Sequence, residues 1–322
     1  MLHVAAGGGV RWEAVGATAP AGRPGQGMIG VMPTWVMWLA VALVVVAVAV
    51  RHHRRSRAET LLDEHARRRT GGGPPSPVSV WREANRRFRA GEREGLLLLA
   101  RIGRDSPRRR QDVVDTWLAA LRGGVSRGLD TPWRTAVQRE LVSHLRPGEQ
   151  FWPGMDVRAA GAILVDFDLS GCRVGRADFT GAVFVGDARF AAVTVTGEAV
   201  FDGARFLRHA VFTDALFARS LSAELAVFTG NLVLSGAQVA EEVSARGAKV
   251  SGRADLRRAE FGGPARFEGV FFGGRALFGE VVFHRDAVFS GSWFRGWTDV
   301  GSALIGEAAE FDGVRFGRRV LR

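Results

Sequence analysis

Large apolar residues recur every eleven positions along the C-terminal half of the chain: Phe190, Phe201, Phe212, then Leu234, Leu256, Phe267, Phe278, Phe289, Val300 and Phe311. A second series lies five residues behind the first, at Val195, Phe206, Phe217, Phe228, Val239, Val250, Phe261, Phe272, Phe283, Phe294, Ile305 and Phe316. Most of these are preceded two positions earlier by alanine, as at Ala199, Ala204, Ala210 and Ala265. The unit is A-x-F-x-x-A-x-F-x-x-x, a step of five followed by a step of six. Residues two apart face the same side of an extended segment, and Phe and Val favour such segments. A helix would need apolar spacings of three and four sustained over several turns. The pattern predicts short strands joined by corners. Each strand is too small to bury its apolar pair alone, so the strands must stack as a solenoid.

Upstream the step is strictly five, through Leu164, Leu169, Val174, Phe179 and Phe184. Such steps resemble the pentapeptide-repeat family, whose consensus is A-(D/N)-(L/F)-x-x. Ala177-Asp178-Phe179 and Ala254-Asp255-Leu256 match it in full, and most other steps keep the alanine and the large residue. The resemblance covers residues 160–318 and implies a mainly β fold, a right-handed quadrilateral β-helix with four steps per coil. The six-residue steps then place one extra residue at alternate corners. A coil of about 22 residues gives about seven coils and roughly 34 Å of rod at the usual strand spacing. At 223 and 245 the large position holds Ala, while Leu221 and Val243 occupy the positions where Ala is usual. Volume has moved to a neighbouring inward position, as a close-packed interior tolerates.

Before the solenoid, residues 29–50 form an uncharged run, IGVMPTWVMWLAVALVVVAVAV, with Trp35 and Trp38 in its first third. As a helix it would be about 33 Å long, enough for a bilayer. Arg51, Arg54, Arg55 and Arg57 follow it at once. The positive-inside rule then puts the C-terminal side in the cytoplasm. The expectation is a single-pass protein of the cell membrane, in contact with lipid through that helix. The arginines act as a topology anchor or as a contact with anionic lipid. Residues 1–28 read as a disordered N-terminus and 51–77 as a basic stalk ending in a Gly/Pro linker.

Residues 78–150 read as a helical segment. Helices are expected near Val78–Ala90 and over Glu92–Arg104. A third is expected from Ser106-Pro107 to Gly123-Gly124, and a fourth from Thr131-Pro132 to Pro147-Gly148. Ser or Thr followed by Pro is a helix start. The stretch 96–122, with its Arg104-Asp105-Ser106 run, resembles the helical preface of actinobacterial membrane-anchored pentapeptide-repeat proteins. It departs from them in having four leucines after Gly95 and no Tyr anywhere in the chain. These helices are expected to cover the first coil, whose backbone edge would otherwise be open.

Charge changes the functional picture. The net +11 lies entirely in residues 1–150, with 24 basic against 13 acidic residues, whereas residues 151–322 carry 20 of each. A known role of some pentapeptide-repeat proteins, mimicry of duplex DNA toward gyrase, calls for an acidic rod to imitate phosphate. It is therefore the alternative reading. Nucleic acid is not expected as a partner, since the basic segment has no stacking platform. Cys172 is at an inward small position and reads as core, and the seven His show no metal-ligand spacing. Asp202, Asp214 and Asp286 read as turn formers. No phosphate-binding, dinucleotide or nucleophile-elbow motif is present, so neither a cofactor nor an enzymatic activity is expected.

Outward residues taken 22 apart give Arg205, Val227, Lys249, Phe271, Trp293 and Arg315. Phe271 and Trp293 would then be neighbours on one face, with Trp297 near. They read as a protein contact or as rings lying on local loops. The expected function is a non-enzymatic, membrane-anchored protein-interaction scaffold. Its partners are an unidentified protein and a second copy docked through the C-terminal coil.

Overall fold

The computed structural model describes residues 76–122, 131–317 and 320–321. All of them lie in the second of two compact units, Ser76–Arg322.

Four helices come first: α1 (Pro77–Arg89), α2 (Arg93–Asp105), α3 (Arg110–Leu121) and α4 (Thr131–Leu145). Ser76 caps α1, its hydroxyl accepting from the Ser79 amide at 3.2 Å, and Pro77 fills the first turn. Ser106 behaves differently from expectation. Its side chain makes no capping bond, and Pro107–Arg109 form a 3-10 turn before α3 begins at Arg110. Trp117, Leu118, Leu121, Val137, Leu141 and Leu145 bury the facing sides of α3 and α4 completely or nearly so.

The expected architecture needs correction on its N-terminal side. No helix among the described residues is long and apolar enough to cross a membrane. The helices run to 13, 13, 12 and 15 residues. At about 1.5 Å per residue they fall short of the roughly 30 Å hydrocarbon layer, and each carries charged residues along its length. The run 29–50, with Arg51, Arg54, Arg55 and Arg57 after it, lies outside the described residues.

From Val157 the chain winds as a β-solenoid of the right-handed type with about seven turns. Its strands, two or three residues each, form four parallel sheets of eight, seven, seven and eight strands. Pairing is in register at 22 residues through most of the rod: Arg205 with Val227, Val227 with Lys249, Lys249 with Phe271. The first coil is tighter, pairing Val157 with Ala177 and Arg173 with Thr194. Before the last coil most strands are entered or left by a buried small residue and a buried large one, as with Ala199 and Phe201 or Ala204 and Phe206.

The last residue of each five-residue step of the eleven-residue repeat sits in a turn with positive φ. Every eleventh residue from Gly181 to Gly313 is left-handed, and six of these are not glycine: Ala192, Asp214, Leu225, Arg258, Glu280 and Ser302. Inside, phenylalanine rings stack from coil to coil. Phe184 lies 4.4 Å from Phe206, which lies 4.6 Å from Phe228. A second set begins with Phe261 on Phe283 at 5.3 Å and Phe272 on Phe294 at 4.6 Å.

The helices close the N-terminal end of the coil stack, as the open edge requires. Two glutamines take the place of a missing strand. Gln111 accepts from the Asp156 amide at 2.9 Å and donates to the Asp156 carbonyl at 3.0 Å. Gln138 does the same for Val165, at 2.9 and 2.7 Å. Arg134 and Arg146 donate to the carbonyls of Ile163 and Ser170. His144 stacks on Trp152 at 3.9 Å, and Trp117 packs against both rings at 5.7 and 5.8 Å. Trp152 in turn packs against Gly103, where an added Cβ would come within 2.3 Å of the indole.

Candidate interaction surface

The 22-residue register decides which outward side chains meet. Phe271 and Trp293 are strand partners, and their rings pack edge to face at 5.1 Å. Trp293 is 44% exposed, and Phe271 is half-buried because its ring folds over Gly273. The Lys249 ammonium, one coil below, lies 5.7 Å from the Phe271 ring. Trp297 does not join that pair. It stands around the next corner with the Arg275 guanidinium 5.8 Å from its ring, on an open groove shared with Arg295. The corner is tight there: a Cβ on Gly296 would sit 1.8 Å from the Gly274 carbonyl oxygen.

The last coil presents a different surface. Its inward large residues Val300, Ile305, Phe311 and Phe316 are 38–49% exposed, although their equivalents in earlier coils are buried. Phe311 and Phe316 each keep one stacked neighbour, Phe289 at 5.4 Å and Phe294 at 5.3 Å. Their other faces are uncovered by any described residue.

Several charges along the rod are paired between coils. Arg266 meets Glu242 at 2.7 Å, Arg285 meets Glu307 at 2.6 Å, Arg219 meets Glu241 at 3.1 Å and His284 meets Glu260 at 2.7 Å. Asp255 is held below the usual carboxylate range chiefly by the Arg257 guanidinium, which donates to both its oxygens at 2.8 and 2.7 Å. With 20 basic and 20 acidic residues over 151–322, the rod lacks the excess negative charge that a phosphate backbone displays.

The residues singled out for chemistry have structural roles. Cys172 is buried, and burial pushes its thiol up from 9.0 to about 11. Among the described residues no three His, Cys, Asp or Glu are grouped to hold a metal ion. The corner acids do more than form turns. Asp202 accepts from the Glu224 amide, Asp286 from the Ala308 amide and Asn231 from the Arg253 amide, each 22 residues on. His209 takes the same part toward the Asn231 amide. A corner side chain thus holds the backbone of the next coil. The only trace of this in the sequence is a polar acceptor recurring at the coil length.

Comparison with known proteins adds one positive finding. A family model described as pentapeptide repeats (9 copies) matches residues 169–216 and 245–293. The interval between the two matches contains Leu221 and Val243, whose bulk stands where the repeat has alanine. No curated protein and no solved structure matches the chain. The match rests on the repeats and does not reach residues 96–122 with their Arg104-Asp105-Ser106 run. Its two segments fall on the coils whose four parallel sheets and inward Ala–Phe pairs are described above, and the chain belongs through them to the pentapeptide-repeat family.

Proposed function

We propose that the chain is a protein-interaction scaffold, its solenoid serving as a rigid surface rather than as a reaction centre. Pentapeptide-repeat solenoids are generally non-catalytic structural or interaction proteins. The observation that carries the reading is the exposed Phe271–Trp293 pair beside Lys249. Paired aromatic rings flanked by cations concentrate binding energy in protein interfaces, where large side chains lose water against a partner. Trp297 and Arg275 extend the surface around the corner. Mimicry of duplex DNA toward gyrase finds no support in the charge, which is balanced along the rod.

Crosslinked capture from the native host tests the reading. Phe271→Ala with Trp293→Ala is expected to weaken recovery of wild-type partners at least tenfold while leaving the circular dichroism unchanged. Equal recovery from both proteins would refute it. The exposed apolar residues of the last coil support a second contact, with another copy of the chain. Sedimentation is expected to show a dimer that Phe316→Glu dissociates. A monomer at all concentrations would rule that contact out.

A further inference from the structure

Midway along the rod the interior changes character. Five consecutive inward large positions after Phe228 hold Leu234, Val239, Ala245, Val250 and Leu256, and phenylalanine returns only at Phe261. The ring stack is broken over this interval, because Phe206–Phe228 ends one set and Phe261–Phe283 begins the next. Leu221 and Val243, buried at small positions, recover part of the lost volume but not all of it. A cavity of about 50 Å³ remains on the axis, bounded by Leu221, Phe228, Leu234, Val243, Val250 and Phe261 among others.

Water gains nothing by entering this space. The backbone amides around it are spent on coil-to-coil bonds, such as Val227 to the Ala204 carbonyl, Lys249 to Ala226 and Val243 to Pro264. The one hydroxyl on its margin, that of Ser244, donates to the Glu224 carboxylate. None of the lining side chains is among those with an unpaired buried polar atom. A buried water needs two to four polar partners, and a purely apolar cavity stays dry. The volume exceeds the roughly 10–15 Å³ that one water probe occupies. It is about a third of the ~150 Å³ cavity known to admit benzene.

We propose that this cavity is a binding site for a single small apolar molecule, of the size of a xenon atom or a diatomic gas. Such a molecule recovers the dispersion contacts that the missing rings leave unmade on the lining methyl groups. Ala223, Leu232 and Ala245, which also line it, are only partly buried. Entry therefore needs local breathing of one coil and no unfolding of the rod.

Xenon is the probe. With the full chain carrying labelled methyl groups, xenon pressure is expected to shift the resonances of Leu234, Val243 and Val250 saturably. Those of Val113 and Leu141 in the helical core should stay still, and benzene at equal activity should shift none of them. Ala245→Leu, which adds volume to the wall, is expected to weaken xenon binding at least tenfold. Leu256→Phe, which restores the ring found in other coils, serves if that variant does not fold. Absence of a saturable shift in the wild-type chain, or full binding retained in a folded filled variant, would overturn the proposal.

Discussion

At the scale of single residues, the corners store a cost that the repeat does not reveal. Leu225 is left-handed at φ +56 and 69% exposed, in a column whose neighbours one coil away are Gly203 and Gly247. A left-handed conformation costs a residue with a Cβ about 1–2 kcal/mol. Leu225→Gly is therefore expected to raise stability by about 1 kcal/mol, read as a higher urea midpoint; a lower midpoint would show that the leucine contributes packing. Cys172 offers a second test. With its thiol raised from 9.0 to about 11 by burial, the native chain favours the protonated form. That stability is fully present below pH 9 and is lost as pH rises through the folded value. At pH 8 a thiol reagent should label native Cys172 at least about 100-fold more slowly than the unfolded chain, from the loss of thiolate alone. Similar rates would mean that the thiol is not in the core. The inward role of Cys172 was legible from its phase in the repeat. The left-handed corners were not, because Ala192, Leu225, Arg258, Glu280 and Ser302 carry side chains that give no sign of positive φ.

At the scale of elements, helices and coils are joined by backbone recognition more than by charge. Gln138 supplies both halves of a strand-like hydrogen-bond pair to Val165, and Gln111 does so for Asp156. Gln138 is buried, so replacing it by leucine strands an amide and a carbonyl without water. The expected loss from Gln138→Leu is about 1–3 kcal/mol, with faster hydrogen exchange at Val165 and unchanged exchange at mid-rod amides such as Lys249. Unchanged exchange at Val165 would show that the helices do not protect that edge. Four helices were legible from their caps and prolines, and so was the need for a cover on the first coil. The glutamines were not, since each pairs with a residue 27 or 45 positions away, which local pattern does not encode.

At the scale of the whole molecule, a single period sets the interior, the register and the surface. A repeat of eleven residues gives two steps, and two repeats close one coil, so beyond the first coil an outward residue meets its equivalent 22 positions on. The contact between Phe271 and Trp293 was legible for that reason, whereas the separation of Trp297 around its corner depends on turn geometry. The expected membrane-spanning helix rested on the uncharged run 29–50, its tryptophans and the arginines after it, which lie outside the described residues, and no helix of the described residues is long and apolar enough to span a membrane. The cavity was partly legible too. The Leu221 and Val243 exchanges announced a local change of packing, but its residual volume depends on how far neighbouring coils collapse around the smaller side chains.

Disulfide trapping tests the coil register most directly. In a Cys172→Ala background, Gln238→Cys with Glu260→Cys places two thiols on paired, outward-facing strand positions. Their Cα separation of about 4.8 Å lies within the roughly 4.4–6.8 Å range of natural disulfides. Gln238→Cys with Lys249→Cys places them half a coil apart, on opposite sides of the rod. Mild oxidation is expected to close the first pair within the monomer and to leave the second open. Closure of the second pair without the first would contradict a coil of 22 residues, and with it the placement of the rings, the corners and the cavity.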